Sequence, residues 1–293
     1  TFYNTDKSIL VYVPASSIEA YKKADYWSEF TNFQAIAEPA KTEWRISDRT
    51  DIDVDFHSIN EAMEDERVQD GHTLYIERGS HLTDATITKK GTIVGPGYDL
   101  ADDSRNAKVD FMISNAENAK VVGLQVQNVL VCNNNVNIEN CYITNSVRGD
   151  ETSYENDNCV IKSCFIDGSV YGRGEDGTYE WTLTNNIIKG EVYNFEEMTL
   201  NHNTIVSDNY VLNRVNTSTV INNVLFRPMN VSPISDCTDN EYNKNIVSAI
   251  SGTNGEEWCE TLSKIISCTG DASSEDYYTP VGRSEEHTSE LQS

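Results

Sequence analysis

A seven-residue pattern that returns about every twenty residues constrains the fold of this chain more than any other feature of its sequence. It reads NIENCYI at residues 137–143, VIKSCFI at 160–166, TLTNNII at 182–188 and TLNHNTI at 199–205. A period near twenty residues is typical of a solenoid, in which each repeat forms one coil and stacks on the next. We therefore expect matching side chains of consecutive coils to lie on top of one another.

The central residue of each repeat, which we call the anchor, separates two apolar columns. The anchors are Leu124, Cys141, Cys164, Asn186, Asn203, Asn223 and Asn245. Three positions earlier stand Val121, Ile138, Ile161, Leu183, Leu200, Val220 and Tyr242. Two positions later stand Val126, Ile143, Ile166, Ile188, Ile205, Leu225 and Val247. Both columns are apolar in every repeat, which predicts that both face the core.

The chain is expected to bend just before each anchor, because an offset of two residues keeps side chains on one face of a strand and an offset of three does not. The residues there are Gly123, Asn140, Ser163, Asn185, His202, Asn222 and Lys244. Gly and Asn adopt the left-handed region most readily. We predict a short corner that points the anchor inward, with the asparagines forming an amide ladder. The alternative is that these Asn pairs merely mark exposed turns.

The predicted fold class is all-β, because coils of about twenty residues are too short for a helix plus a strand. Coils stacked in one direction make parallel sheets, and such crossovers are right-handed in nearly all cases. The stretch DFHSINEAMEDERV at residues 55–68 is expected to form a capping helix over the open end. In that helix Asp55 would cap the start, and Phe56, Ile59 and Met63 would share one face.

Several segments resemble pectate-lyase-like right-handed parallel β-helix proteins. The expected helix is followed by TLYIERGS at 73–80 and ATITKKGTIVGPG at 85–97, which resemble the entry coils of that family. DYYTPVG at 276–282 resembles its closing segment. The resemblance covers about residues 56–282 and implies a right-handed parallel β-helix.

The N-terminal segment resembles a different family. Residues 10–36 read LVYVPASSIEAYKKADYWSEFTNFQAI and resemble the terminal unit of BspA-type leucine-rich repeats on bacterial surface proteins. The matching residues are Tyr12, Val13, Pro14, Ala20, Tyr21, Lys22, Trp27 and Phe30. The resemblance implies further repeats upstream and a secreted or cell-surface location in a bacterium. We expect Tyr21, Trp27 and Phe30 to be packing residues.

These observations divide the chain into a leucine-rich-repeat remnant at residues 1–38, a linker or first strand at 39–54, a parallel β-helix at 55–282 and a tail at 283–293. The tail reads RSEEHTSELQS, which resembles the translation of a sequencing adapter. The chain also starts at Thr1 without Met. We therefore expect the natural protein to extend beyond both ends and give the tail no structural interpretation.

The formal charge of −25 narrows the range of partners. A negative field repels phosphate backbones and anionic lipid headgroups, so no nucleic-acid partner is expected. No apolar run approaches the ~18 residues of a membrane span, so no membrane insertion is expected. Calcium is the one cofactor left open, because acidic side chains can attract cations. The seven cysteines show no CxxC spacing and are expected to pack as small apolar residues.

No catalytic motif is complete, so we assign no catalytic residue. A glycoside hydrolase needs two carboxylates that flank the scissile bond. Pectin-hydrolase-like members of the β-helix family carry an NTD motif, a DD pair, a GHG and an RIK, of which only the first two have counterparts here, in Asn4-Thr5-Asp6 and Asp102-Asp103. The histidines His57, His72, His81 and His202 are dispersed and are expected to be structural.

Two loops, at residues 145–158 and 167–180, connect successive coils and would lie side by side in a stack. Aromatic faces beside carboxylates suit sugar binding, and clustered carboxylates can hold calcium. The candidate ligand-binding residues are Arg148, Asp150, Glu151, Tyr154, Tyr171, Arg173, Glu175, Asp176 and Tyr179. The alternative is two solvated loops without a ligand.

The sequence therefore predicts a secreted or surface-attached bacterial binding or adhesion protein, non-catalytic, that recognises a glycan or a surface protein of a host or bacterium. The first alternative is a carbohydrate-active enzyme, a polysaccharide lyase or hydrolase, on the same fold. The second alternative is a purely structural spacer. All three interpretations rest on fold and family analogy, which does not by itself determine function.

Overall fold

A computed structural model describes residues 2–36, 40–152, 156–173, 178–227 and 232–248, together with three two-residue strands beyond them. The chain divides into two compact units, Thr1–Lys41 and Thr42–Ser293. Among the described residues, no helix combines the length and the apolar character needed to cross a membrane. Both units are built mainly from parallel β-strands.

The smaller unit holds one two-stranded parallel sheet and a short helix. Its strands are Leu10–Pro14 and Asn32–Ile36, and the helix Ile18–Lys23 follows a 3-10 turn at Ala15–Ser17. The ring of Trp27 lies 5.1 Å from that of Tyr21 and 5.7 Å from that of Phe30, centroid to centroid. These contacts confirm that the three aromatic residues pack against one another.

The larger unit stacks its repeats into two long parallel sheets. In spatial order the ten-stranded sheet contains Glu43–Ile46, Thr73–Ile76, Thr92–Val94, Lys120–Val122, Asn137–Glu139, Val160–Lys162, Thr182–Thr184, Thr199–Asn201, Thr219–Ile221 and Glu241–Asn243. In chain order the fifteen-stranded sheet contains His81–Ile87, Lys108–Ser114, Gln125–Val131, Tyr142–Gly149, Phe165–Ile166, Val170–Tyr171, Thr178–Tyr179, Ile187–Ile188, Val192–Glu196, Thr204–Val206, Leu212–Asn216, Val224–Phe226, Ile234–Ser235, Ile246–Val247 and Glu260–Thr261. The fold is mostly β and solenoid-like, with parallel sheets that curl around a core.

The larger unit also contains a short turn and two segments for which the sequence made a prediction. A 3-10 turn spans Asp103–Arg105. Residues 39–54, which we predicted as a linker or a first strand, contain Glu43–Ile46, the first strand of the ten-stranded sheet, so the second alternative is confirmed. The predicted closing segment at 276–282 lies outside the described residues except for Thr279–Pro280, which pairs antiparallel with Ile266–Ser267.

The two predicted apolar columns lie in register in the two sheets. Ile166 pairs with Ile143 of the preceding coil and with Ile188 of the following coil, and all three side chains are fully buried. The same register continues along both columns, which end at Tyr242 and Val247. Full burial of one such aliphatic side chain contributes about 1.5–3 kcal/mol. The inward assignment of both columns is confirmed.

All seven residues at the predicted corner have a positive φ, from 52° at Asn140 to 69° at Gly123. A Cβ atom at position 123 would lie 2.9 Å from the carbonyl oxygen of Gly95, so this corner requires glycine. Elsewhere the corner N–H donates to the following coil, as from Asn140 to the Lys162 carbonyl at 3.0 Å. The predicted corner is confirmed, and its backbone groups are satisfied by the stack.

The asparagine anchors form the predicted amide ladder inside the core. Asn186 Nδ2 donates to Asn203 Oδ1 at 3.0 Å, and Asn203 Nδ2 donates to Asn223 Oδ1 at 3.0 Å. The ladder continues from Asn223 to Asn245 at 3.1 Å. Each accepting Oδ1 also receives the backbone N–H of the preceding anchor, and each Nδ2 also donates to a backbone carbonyl of the preceding coil. The ladder therefore satisfies buried polar groups of adjacent coils.

The helix that precedes the coils is shorter than predicted, and a different residue caps it. It spans Ile59–Glu64, and Ser58 rather than Asp55 accepts the Glu61 N–H, at 3.0 Å. Asp55 accepts the backbone N–H of Arg45 instead, at 2.9 Å. Ser58 caps the helix because it forms a capping box with Glu61, whose carboxylate accepts the backbone N–H of His57 just before the helix.

The helix covers the free edge of the fifteen-stranded sheet. Ile59 and Met63 are buried, and Asn60 Oδ1 accepts the Thr86 N–H of the first strand at 2.7 Å. This is a donor that an uncovered edge strand would present to solvent. Phe56, predicted on the helix, lies before it and bridges to the first strand of the ten-stranded sheet.

Substitutions at two neighbouring isoleucines test whether the apolar column that contains Ile188 faces the core. Ile188 is fully buried, whereas Ile187 on the same strand is 47% exposed. An Ile188→Asp variant places an unpaired carboxylate in the core and should lower the free energy of unfolding by more than about 4 kcal/mol. Ile187→Asp should change it by less than about 1 kcal/mol. Urea denaturation measures both, and equal stabilities would contradict the assignment.

The amide ladder makes a second stability prediction. An Asn203→Ala variant removes the acceptor of the Asn186 N–H, one of the two acceptors of Asn186 Nδ2, and the side-chain donor to the Leu183 carbonyl. It should lower the free energy of unfolding by about 2–5 kcal/mol. The control Asn201→Ala removes one partly exposed bond from Asn222 and should cost about 0.5–1 kcal/mol. Thermal melts of the two variants must differ if the ladder stabilises the stack.

Candidate functional site

The structure brings together part of the two predicted binding loops. Arg148 lies near the end of strand Tyr142–Gly149 and pairs in register with Tyr171 of the next coil. The Arg148 guanidinium carbon lies 5.7 Å from the centroid of the Tyr171 ring. Arg148 Nη2 also lies 3.1 Å from a carboxylate oxygen of Glu151. Three of the nine predicted residues are therefore neighbours.

The same row continues to Tyr193 and then to Asn213, whose neighbour Arg214 contacts Tyr193; our sequence analysis missed both Tyr193 and Arg214. Tyr193 pairs with Tyr171, and the two rings lie 6.4 Å apart at an angle of 73°. Arg214 donates from Nη1 to the Tyr193 hydroxyl at 3.1 Å. Tyr193 follows Tyr171 by 22 residues, one repeat, so alignment of the loops by the repeat period could have found it. We call Arg148, Tyr171, Tyr193 and Arg214 the tyrosine ladder.

The tyrosine ladder lies on the outer face of the fifteen-stranded sheet. The residues just before its first three members, Val147, Val170 and Val192, are fully buried. Because side chains alternate along a strand, the ladder residues point away from the core. The Arg148 side chain is 54% exposed, and both tyrosines are half-buried. The guanidinium of Arg148 lies near the Tyr171 ring and that of Arg214 near the Tyr193 ring, and cation–π attraction holds both rings in place.

Carboxylates and amides stand beside the tyrosine ladder. Glu191 accepts a hydrogen bond from Asn213 at 2.9 Å, and Glu196 accepts one from Asn216 at 2.9 Å. Glu151, at the Arg148 end, is exposed. The surface thus combines aromatic rings with charged and amide groups that can exchange hydrogen bonds with hydroxyls.

Two further predicted residues have local roles. Asp150 accepts the Thr152 N–H at 3.0 Å and so stabilises its own turn. Arg173 is only 7% exposed, and its Nη1 lies 4.0 Å from Asp157 Oδ1. Its charge therefore faces the protein more than the solvent.

The other predicted residues are not placed in the tyrosine ladder. Tyr179 belongs to strand Thr178–Tyr179, which pairs with Phe195 and Glu196. Outside the described residues lie Tyr154, Glu175 and Asp176. Within the described part of the chain, no group of three or more His, Cys, Asp or Glu side chains could hold a metal ion. Calcium binding therefore stays a prediction.

The acidic residues of the incomplete catalytic motifs are engaged in turns. Asp6 accepts the N–H and hydroxyl of Ser8, and Asp102 accepts those of Ser104. These hydrogen bonds hold the pKa of both carboxyls below its usual range. A general acid needs the opposite shift of its pKa. Neither carboxyl is therefore suited to protonate a leaving group near neutral pH.

The histidines lie apart from one another. His57 donates to a backbone carbonyl at 3.0 Å, and His72 accepts from the indole of Trp44 at 3.1 Å. His202 occupies a corner with φ of 57°. His81 hydrogen-bonds to an aspartate on the outer face of the fifteen-stranded sheet. The hydrogen bonds of His57 and His72 and the corner position of His202 therefore explain these three as structural residues.

The cysteines pack as predicted where the structure describes them. Cys141, Cys159, Cys164 and Cys237 are buried, and Cys132 is partly exposed. Burial raises the pKa of Cys159 to about 12 and that of Cys132 to about 11. Cys259 and Cys268 lie outside the described residues. Thiols with such pKa values are poor nucleophiles near neutral pH.

Thiol labelling tests this conclusion. With a pKa of about 12, roughly one in ten thousand Cys159 side chains is a thiolate at pH 8. Iodoacetamide should therefore modify Cys159 at least about 100 times more slowly in the folded protein than in urea. The rate should rise as the pH approaches the raised pKa. Peptide mass spectrometry measures the labelling, and rapid modification at pH 8 would refute the burial of this thiol.

Comparison with known proteins finds no matching family model, no matching curated protein and no matching solved structure. The resemblances to pectate-lyase-like proteins and to BspA-type repeats therefore rest on the sequence segments alone.

Proposed function

We propose that the chain is a secreted or cell-surface bacterial binding protein that recognises a glycan along the tyrosine ladder. The observation that supports this most is the pair of outward tyrosines, 6.4 Å apart, set between two arginines on a rigid sheet. Residues on regular elements hold a binding geometry better than residues on loops.

The chemistry of the ladder fits a sugar chain. A pyranose ring has an apolar C–H face that packs against an aromatic ring, and its hydroxyls exchange hydrogen bonds with charged and amide groups. Arg148, Glu151 and Glu191 supply such groups beside the rings. Because the sheet repeats at a spacing of roughly 4.8 Å per strand, a polymer laid across the coils meets a new side chain at each step.

The finer architecture belongs to the same proposal. We infer a right-handed parallel β-helix of the pectate-lyase-like type, supported by the in-register columns, the left-handed corners and the amide ladder. A terminal BspA-type leucine-rich-repeat unit in the smaller unit is supported by its sequence motif. The secreted or surface location follows from that resemblance and would place the binding face outside the cell.

The catalytic alternative has less support than the binding proposal. The carboxyls of Asp6 and Asp102 have lowered pKa values because serine donors hydrogen-bond to them. Asp103 forms an ion pair with Lys108 at 2.9 Å. The carboxylates of the incomplete motifs thus have structural partners, whereas the tyrosine ladder faces solvent.

A glycan panel followed by calorimetric titration tests the proposed function. Tyr171→Ala and Tyr193→Ala should each weaken binding of the best glycan by about tenfold, because each removes a stacking surface. Tyr75→Ala is the matched control, since Tyr75 is 37% exposed on the ten-stranded sheet. Its affinity should equal that of the parent protein.

Two results would count against the proposal. The first is a parent protein that binds no glycan of the panel. The second is a bound glycan whose affinity is the same in all three tyrosine variants, which would move recognition to another surface. Melting temperatures of the variants establish that each is folded.

A further inference from the structure

A polar cavity of about 390 Å³ lies on the outer face of the fifteen-stranded sheet, at the beginning of four adjacent strands. The polar side chains that line it are His81, Lys108, Asp110, Gln125, Gln127 and Thr144. None of them belongs to the tyrosine ladder. The volume falls within the range of small-molecule sites.

The cavity is formed by outward-facing side chains of adjacent strands, and buried side chains of the same strands lie beneath it. His81, Lys108 and Gln125 are in register with one another, and the next member of their row is Tyr142. The adjacent inward residue, Val109, is buried. The cavity is therefore built on strands, whose register fixes the spacing of its lining groups.

A buried side chain orients one of the lining amides. Asn106, which is 2% exposed, donates from Nδ2 to the Oε1 of Gln125 at 2.7 Å. Because the carbonyl end of the Gln125 amide is engaged in this way, its NH₂ end is the donor directed away from Asn106. The amide is therefore pre-oriented before any ligand binds.

The basic and acidic side chains around the cavity are hydrogen-bonded or ion-paired to one another. His81 Nε2 lies 2.7 Å from Asp110 Oδ1, and Lys108 Nζ lies 2.9 Å from Asp103 Oδ2. Each basic group therefore already has an acidic partner. An anionic ligand would compete with these carboxylates in the field of a chain of charge −25. The cavity therefore favours a neutral ligand rich in both donors and acceptors.

An aromatic cluster stands beside the cavity, because Tyr142, which does not itself line the cavity, follows Gln125 in the row. The ring of Tyr142 lies 5.8 Å from that of Tyr98 and 5.4 Å from that of Phe165. Small-molecule sites commonly combine aromatic side chains with a few oriented polar groups. A sugar unit matches both, because it has an apolar face and a rim of hydroxyls.

We propose that this cavity is a second binding site, separate from the tyrosine ladder, and that it takes a single neutral hexose unit such as the end of a glycan chain. The oriented Gln125 amide and Gln127 donate to the sugar hydroxyls, and Asp110 and Thr144 accept from them. The site does not depend on recognition at the tyrosine ladder, because the two share no residue.

The test uses three hexoses that differ in charge: glucose, glucuronate and glucosamine. Binding is followed by saturation-transfer NMR in a Tyr171→Ala/Tyr193→Ala background, which removes both aromatic stacking surfaces of the tyrosine ladder. Glucose should bind with a Kd on the order of millimolar. Gln125→Leu and Gln127→Leu should each weaken it by about fivefold or more. Gln34→Leu, on an exposed position of the smaller unit, is the control and should have no effect.

Each outcome of this experiment either supports the cavity as a binding site or overturns it. Glucose binding that is lost in the cavity variants, and glucuronate binding about fivefold weaker than glucose binding, support the site. The proposal is overturned if none of the three sugars binds at about 50 mM, or if Gln127→Leu, an exposed position whose change leaves the fold intact, binds like the parent. Tighter binding of glucuronate or glucosamine than of glucose also overturns it, because the ligand would then not be neutral.

Discussion

The left-handed corner before each anchor is the constraint on which the rest of the structure depends. It costs roughly 1–2 kcal/mol for a residue other than glycine, yet residues as different as Lys244 and His202 adopt it. The corner turns the anchor inward, where Asn186 and Asn203 satisfy backbone donors of adjacent coils. Each coil therefore completes the hydrogen bonding of its neighbour, and the strain is offset by the stack.

In-register stacking also organises the outer surface. When the buried partners of two coils coincide, the outward residues between them must coincide as well, because strand side chains alternate. Tyr171 and Tyr193 meet for this reason, and so do Lys108 and Gln125. The tyrosine ladder and the polar cavity are thus consequences of the same register that builds the core. A function that uses rows of side chains suits such a scaffold.

The sequence predicted only those residues of the candidate site that occupy matching positions in successive repeats. Arg148 and Tyr171 were named from the expectation that two loops stack, and they do pair. Tyr193 could have been named by adding one more period. The burial of Arg173 could not, because it goes with a contact to Asp157 of the preceding loop that no pattern in the sequence marks. The capping residue was mistaken for a similar reason, since Asp55 and Ser58 are both good caps in sequence terms.

The sequence by itself determined the period, the two inward columns, the corner and the amide ladder. Each of these features is local and recurs in every coil. A coil that departs from the pattern at one position therefore does not hide the pattern, because the other coils still show it. Only the tertiary structure decided which outward residues form a surface, because outward positions carry no apolar pattern to reveal their register. The oriented amide of Gln125 is of this kind, since its partner Asn106 lies 19 residues away and is recognised only through space.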